Sequence, residues 1–377
     1  MGVALALAER GRATVRPNPL VGCVLVHGGA IVGEGWHERP GGPHAEVAAI
    51  AAAGGRSRGA TVHVTLEPCD HTGRTGPCTQ ALIDAGVRRV VYAADDPLNG
   101  GAATLRDAGV EVIRGVRVDD ARRQNEVFFH VQATGRPFVV CKVAQSLDGR
   151  VAARDGSSRW ITSAQARIAA HQLRALVEAV AVGSGTVLAD DPSLDVRHVE
   201  APAGQPRPVV FDARGRTPSW ANVARPGAVV LTTQASPTTW RGQLTDAGAE
   251  VVVVPAADPE VAPGRRPGVA LDAALAALTD RRVHSLLVEG GATLAGALQR
   301  AHLIDRLEAF VAPCTIGGDG LAVFAPPGAA SVDDRWLWRI DEVRQLGPDL
   351  WLTARPQRSD GATTTTSASH ALQRTGR

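Results

Sequence analysis

With 377 residues, 44% of them hydrophobic, the chain is long enough for two domains. A formal charge of +2 and only 4% aromatic residues exclude the usual footprint of a nucleic-acid binder and give no reason to expect an acidic-membrane partner. No apolar run reaches the ~18 residues of a membrane span, and five scattered cysteines, an odd number, argue against a disulfide framework and for a reducing cytoplasm.

The N-terminal "MGVALALAERGRATV" is Ala-rich, and Glu9, Arg10 and Arg12 follow its apolar part. No basic segment comes first, so it reads as an amphipathic helix rather than a signal peptide. "PNPLVGCVLVHGGAIVGEGW" reads as two strands turning at His27–Gly28–Gly29. "HAEVAAIAAAGG" is a helix stopped by glycines, and "ATVHVTLEP" a strand with Val62, Val64 and Leu66 on one face. After a loop carrying Cys69 and Cys78, "CTQALIDAG" and "AATLRDAG" predict helices, and "VRRVVYAADD" and "VEVIRGV" predict strands. "DDARRQNEVFFHVQATGRP" predicts one connecting helix ending before Pro137.

A second alternation starts at "FVVCKVAQSLDGRVA". It continues with helix "SAQARIAAHQLRALVEA" and strands "AVAVGSG", "PRPVVFDA", "GAVVLTT" and "EVVVVPA". Helix "LDAALAALTDR", strand "SLLVEGG", helix "ATLAGALQRAHL" and strand "RLEAFVAP" follow, with the last strands near "RIDEVRQLGPDLWLTA". The whole reads as two α/β domains, residues 1–136 and 137–355. A polar, Thr/Ser-rich tail over 356–377 is expected to be disordered.

Three residues form a candidate metal site. His44 in "PHAEV" and Cys69 and Cys78 in "TLEPCDHTGRTGPC" offer one imidazole and two thiolates, a set suited to Zn²⁺ with a fourth position open. Glu46, two residues after His44, is placed to take a proton from an attacking water and return it to departing ammonia. His-x-Glu followed by Pro-Cys and a second Cys is the pattern of zinc deaminases. Cys78 opens a helix, whose N-terminus favours thiolate. Taken singly, each of these residues is more often a loop histidine or a core cysteine; only their combination points to a metal. Cys23 and Cys141 lie inside apolar strands and read as core. The cysteines are separated by eight residues, not the two of nucleoside deaminases, and the insertion adds His71 and Arg74, a grip for a phosphate or a solvated loop.

The chain resembles the fused pyrimidine deaminase/reductase family of riboflavin biosynthesis. The matching segments are "PNPLVGCVLV", "GEGWHERPGGPHAEV", "TLEPCDHTGRTGPC", "KVAQSLDGRVA", "WITSAQAR", "GSGTVLADDPSLDVR" and "VEGGATLAGAL", in family order. The resemblance implies a cytidine-deaminase-like three-layer α/β/α domain followed by a dihydrofolate-reductase-like domain. It also implies zinc-dependent deamination of a phosphoribosylated diaminopyrimidinone, then NADPH-dependent reduction of its ribose. It places His44, Cys69 and Cys78 on zinc, Glu46 as proton donor and acceptor, and Asn18, His71 and Arg74 at the substrate. One loop departs from the family: "DDPLNGG" is shorter, with Leu98 where an Asn is expected, so that Asn99 substitutes or deamination weakens.

In the second domain there is no G-x-G-x-x-G. "VEGGATLAG" ends a strand in Gly290–Gly291 and starts a helix at once, a cradle for a cofactor diphosphate or a packing turn. By resemblance, Ala144, Trp160, Thr186 and Asp190 join the glycines at the cofactor, and Ser158, Arg174, Leu194, Arg197 and Glu289 line the substrate. Lys142, a polar residue in an apolar strand, is expected to orient the ribose or supply a proton, with Asp190 as the second catalytic candidate. The product of the first site would feed the second, and a homo-oligomer is expected. Two other readings are a nucleoside or tRNA deaminase with an appendage, which the cysteine spacing opposes, and a zinc-stabilised binding protein, which Glu46 opposes.

Overall fold

The computed structural model describes residues 1–72, 76–258 and 267–357. Helix α1 (Gly2–Glu9) precedes the hairpin of β1 (Gly22–His27) and β2 (Ala30–Trp36). Its turn needs Gly28 and Gly29, at φ 59° and 82°, in the left-handed region that glycine enters without penalty. Then come α2 (Ala45–Ala53), β3 (Thr61–Leu66), α3 (Cys78–Asp84), β4 (Arg89–Ala94), α4 (Ala102–Asp107), β5 (Glu111–Ile113), α5 (Val118–Gln124) and α6 (Glu126–Thr134). The strands form one sheet in the order β2-β1-β3-β4-β5, antiparallel about β1 and parallel from β3 to β5.

Alternation along the strands sorts the helices into two layers. Cys23, Leu25, Val62, Val64, Val90 and Tyr92 face Ala45, Ala49 and Ala53 of α2, Leu82 of α3 and Leu105 of α4. Leu66 and Ala93 face Leu5 of α1 and Ala121 of α5 on the other side. This is the expected three-layer α/β/α unit. Helix α2 lies very close to β2: a Cβ on Gly35 would stand 2.4 Å from the Ala45 carbonyl, so a glycine is what lets the helix that carries Glu46 seat on the sheet.

The second sheet uses β6 (Phe138–Ser146), then β8 (Ala179–Gly183), β9 (Arg207–Phe211), β10 (Val229–Thr232), β11 (Glu250–Val253), β12 (Ser285–Glu289), β13 (Arg306–Ala312), β15 (Trp338–Leu346) and β16 (Asp349–Pro356). The short β7 (Arg150–Ala152) and β14 (Leu321–Ala322) pair apart from it. The helices are α7 (Ala164–Ala175), α8 (Ser184–Asp190), α9 (Thr238–Asp246), α10 (Leu271–Thr279) and α11 (Ala292–Arg300). The order β11-β10-β9-β8-β12-β6-β13-β16-β15 is parallel as far as β13, and its last two pairings are antiparallel. Val139, Cys141 and Val143 of β6 pack towards α10 and α11, while Phe138 and Val140 pack towards α7. Cys23 and Cys141 are core residues, as their apolar strands predict.

Two local expectations change. The single connecting helix is two, α5 and α6, broken at Asn125 (φ −107°, ψ 29°). Buried Asn125 uses its side chain elsewhere: Oδ1 accepts from the Leu20 N–H at 2.7 Å and Nδ2 donates to the Leu20 carbonyl at 2.8 Å. Helices α8 and α9 are not evident from propensity, since "SGTVLAD" and "TTWRGQLTD" are rich in Gly and β-branched residues. Burial of Val187, Trp240 and Leu244 in the core holds them instead. Of the tail, residues 358–377 lie outside the described residues.

The two sheets are tied by polar contacts around α6. Arg136 donates twice to the Asp305 carboxylate, 2.7 Å each, and Asp305 also accepts from the Val139 N–H. Glu126 pairs with Arg306 and Arg355. Arg16 donates to the Ala175 carbonyl at 3.0 Å, which joins the loop bearing Asn18 to the end of α7. Among the described residues no helix is long and apolar enough to cross a membrane.

Candidate active sites

The first site sits where α2 and α3 begin, beside the end of β3. His44 is the N-cap residue of α2 and Cys78 the first residue of α3, while Cys69 lies three residues past β3. Their ligand atoms all lie within 4.8 Å of one another. His44 Nδ1 is 3.2 Å from Cys78 Sγ and 3.5 Å from Cys69 Sγ. Tetrahedral Zn²⁺ with ordinary Zn–S and Zn–N bonds spaces S and N about 3.6 Å apart, so the donor set and its spacing fit zinc. Hydrogen bonds, first from Cys78 and then from His44, pull Cys69 down to about 4, while Cys78 is pushed up by its neighbouring sulfur and by burial.

Glu46 is the second residue of α2 and is only 4% exposed. Burial pushes its carboxyl up to about 7, so both protonation states are populated near neutrality. Asn18 reaches this site through a residue that the sequence does not mark. His37 is buried, its Nδ1 is 2.9 Å from the Pro43 carbonyl, and its Nε2 is 3.0 Å from Asn18 Nδ2. A carbonyl only accepts, so Nδ1 carries the proton and Nε2 accepts from the Asn18 amide. The Asn18 Oδ1 is thereby left as the acceptor.

His71 is exposed on the loop leaving Cys69, and Arg74 lies outside the described residues. The short loop is anchored by Glu67, also unmarked in sequence. Its carboxylate accepts from the N–H groups of Asp96 at 3.2 Å and Ala102 at 2.9 Å. Cys69 bridges to Gly100, Asp70 N–H donates to the Asn99 carbonyl, and Leu98 is 58% exposed. The loop is thus fastened to the cysteine segment by backbone, with the Leu98 side chain outside.

The second site is a cleft of ≈ 880 Å³ at the ends of β6, β8 and β12. The register pairs Glu289 with Lys142 and Lys142 with Glu308, so three charged residues stand in a row across neighbouring strands. Glu289 receives Arg174 Nε at 2.6 Å and Nη2 at 3.1 Å, with Lys142 Nζ at 3.8 Å. Glu308, missed by sequence, is buried and accepts from Trp351 and Thr353. Burial alone would raise the Glu289 carboxyl, but Arg174 and Lys142 outweigh it and hold it at about 2.

The Glu289 carboxyl, ordinarily at 4.5, protonates first in the unfolded chain, so the ion cluster stabilises the fold fully above about pH 5. That contribution, roughly 3 kcal/mol, is lost as pH falls towards 2. Acid denaturation of the protein and of Glu289→Gln should show it: the variant, already less stable at pH 7, loses less stability than the parent between pH 5 and 2.

The remaining expected residues line the same cleft. Gly290 and Gly291, at φ 75° and 80°, precede α11, and a Cβ on Gly291 would crowd Thr186 Oγ1 at 3.3 Å. That leaves bare backbone facing Thr186, a fit for a diphosphate. Ala144 and Ser158 are half-buried, and Trp160 is 70% exposed beneath the Arg167 guanidinium. Asp190 is exposed, 3.9 Å from Arg159. Leu194 has its side chain in the core and a backbone φ of 54°, so any contact it makes with a ligand is through its main chain. Arg174 also donates to the Asp195 carbonyl at 2.7 Å and is a strut for Glu289 and this loop. Arg197 is exposed and 3.4 Å from Asp195, which leaves it the freer cation. Asp148, in the turn that follows β6, accepts from the Ile316 and Gly317 N–H groups.

Residues 137–352 match the RibD C-terminal domain, and residues 1–94 match the cytidine and deoxycytidylate deaminase zinc-binding region. The riboflavin biosynthesis protein RibD of Escherichia coli K12 is 40% identical over 93% of this chain and 97% of its own. That of Mycobacterium tuberculosis is 41% identical over 94% and 95%. Among solved structures, RibD of Acinetobacter baumannii superposes with a TM-score of 0.83 at 37% identity, covering 95% of this chain and 98% of that one. A diaminohydroxyphosphoribosylaminopyrimidine deaminase/5-amino-6-(5-phosphoribosylamino)uracil reductase from Thermotoga maritima gives 0.79 at 33%, covering 95% and 97%.

Proposed function

This chain belongs to the RibD family of bifunctional deaminase/reductases of riboflavin biosynthesis, and from that premise we propose how its own residues divide the two reactions. Residues 1–136 are the deaminase unit and 137–355 the reductase unit. The first removes ammonia from 2,5-diamino-6-(5-phosphoribosylamino)pyrimidin-4(3H)-one; the second reduces the ribose of the product to a ribityl chain. The observation that carries this division is that each sheet has its own polar site: His44, Cys69, Cys78 and Glu46 on one, Lys142, Glu289 and Arg174 on the other.

His44, Cys69 and Cys78 would hold zinc, which when bound would supply Lewis acidity to the attacking water. Glu46 takes a proton from the attacking water and hands it to the leaving amine, a relay that its pKa of about 7 suits. Asn18, its amide turned by His37, offers Oδ1 to a donor of the pyrimidine. His71 and Arg74 meet the substrate phosphate at this site. In the second cleft Gly290–Gly291, with Ala144, Trp160, Thr186 and Asp190, would hold NADPH, which when bound would supply the hydride. Lys142, held by Glu289, gives the proton that the opening ribose ring requires. Asp190 is the second proton-handling residue at the mouth. Arg197 meets the phosphate, while Ser158 and the Leu194 backbone border the ribose.

Five unpaired cysteines, two of them metal ligands, suit a reducing cytoplasm. The exposed edge strand β15, with Ile340 and Val343 more than half exposed, suits pairing with a second copy. Incubating zinc-loaded protein with the diaminopyrimidinone tests the reading. Ammonia should appear without NADPH, and NADPH should be consumed only once the deaminated product has formed; no ammonia and no oxidation would refute it.

A further inference from the structure

The cleft wall between α8 and β9 is backbone held in an unfavourable shape. Asp191, Leu194 and His198, none of them glycine, have φ of 41°, 54° and 67°. L-residues enter this region at a cost, so other contacts must hold the segment there. Asn222 ties Asp191 through its N–H and its amide. Gln205 accepts from the Val196 N–H at 2.6 Å and donates to the Val196 carbonyl at 3.2 Å. Arg174 holds the Asp195 carbonyl. The last tie falls on Arg197 itself: its N–H donates to His171 Nδ1 at 3.0 Å.

His171 lies on α7 three residues before Arg174, on the same face, and is 8% exposed. A backbone N–H only donates, so Nδ1 must be the bare nitrogen and the proton sits on Nε2. Protonating Nδ1 would break the bond. Burial, followed by the charges of Arg174 and Arg197, pushes the imidazole down to about 4; His198 acts in the same direction and Glu289 against it. The ring therefore stays a neutral acceptor at physiological pH. The His198 ring packs edge-on against it at 5.3 Å between centroids.

We infer that His171 is the positioning residue for Arg197, fixing its backbone so that the guanidinium meets the substrate phosphate, and that it thereby sets the preference of the reductase for phosphorylated over dephosphorylated substrate. The specificity half of this rests on the reading of Arg197 given above; the positioning half does not.

The experiment measures NADPH oxidation with 5-amino-6-(5-phosphoribosylamino)uracil and with its dephosphorylated riboside. The variants are His171→Ala, His171→Asn, Arg197→Ala and the double variant His171→Ala/Arg197→Ala. His171→Ala and Arg197→Ala should each raise KM for the phosphorylated substrate about tenfold with kcat within about twofold, and leave the riboside unchanged. The double variant should be no worse than Arg197→Ala, because His171 acts through that residue. His171→Asn, whose Oδ1 takes the place of Nδ1, should return KM to within about threefold of the parent. Additive losses in the double variant, or an Asn variant no better than Ala, would overturn the positioning role. So would His171→Ala raising KM equally for both substrates while Arg197→Ala separates them. If Arg197→Ala itself fails to separate the substrates, the phosphate assignment falls and with it the specificity half. The positioning role is then decided by the double variant and the Asn rescue alone.

Discussion

Glu46→Gln should stop ammonia release and leave zinc in place. The substitution keeps the shape of the side chain and its place at the start of α2, but an amide has no proton to give and take. Proton transfer by a positioned side chain contributes about 10²–10⁴-fold, and a fall of that size is expected in the first reaction. The effect should be near the upper end because Glu46 is only 4% exposed and its pKa of about 7 places both protonation states within reach near neutrality. Solvent has little access to replace it. The proposed ligands, His44, Cys69 and Cys78, are untouched, so zinc content by atomic absorption should match the parent. Zinc loss would mean that Glu46 is itself a ligand and that the assignment is wrong. Reduction of the deaminated intermediate should proceed at the parental rate, since the second cleft is built on the other sheet.

The reciprocal result is expected at Lys142. Lys142→Met should lower NADPH oxidation at least about a hundredfold while ammonia release stays as in the parent. Lys142 lies in the middle of the charged row across β12, β6 and β13, 3.8 Å from Glu289. It is half-buried and its ammonium stands 5.7 Å from the centre of the Phe310 ring. Methionine keeps the length of the stem and most of its packing. It removes the only ammonium in a cleft whose other cations are guanidinium groups, and these do not release protons at neutral pH. Stability should change little, because Glu289 keeps its two bonds from Arg174. A melting temperature within a few degrees of the parent, together with the kinetic loss, separates chemistry from folding. Near-parental reduction would remove Lys142 from the mechanism and leave it a partner of Glu289 only.

Much of this protein is legible in the chain itself. The candidate metal chemistry is local: a histidine at a helix start, a glutamate two residues on and two Pro-Cys pairs all lie within one helix–strand–helix stretch, so short-range order is enough to propose the ligands. The apolar alternation in β3 and the apolar runs in β6 and β12 likewise announce two sheets, because side chains alternate between the faces of a strand and a strand covered on both faces is apolar on both. Residues that work by reaching across the fold are not legible. Asn125 breaks a helix to bind Leu20, Glu67 pins the short loop from another strand, His37 turns the Asn18 amide, and His171 holds a backbone in the next layer. Each satisfies a buried polar group whose partner is distant in sequence, and no local pattern records that debt. Helices α8 and α9 belong with them, for their stability comes from core packing rather than propensity.

The sequence by itself determined which residues are the candidate metal ligands, which strands are buried and that two chemistries share one chain, because those follow from residue type and short spacing. Tertiary structure alone decided how the charges are shared. It made Arg174 a strut for Glu289 and left Arg197 the freer cation, put the Leu194 side chain in the core, and set Glu289, Lys142 and Glu308 side by side. Strand register and the closing of loops over a cleft fix those relations, and both depend on contacts between segments far apart in the chain.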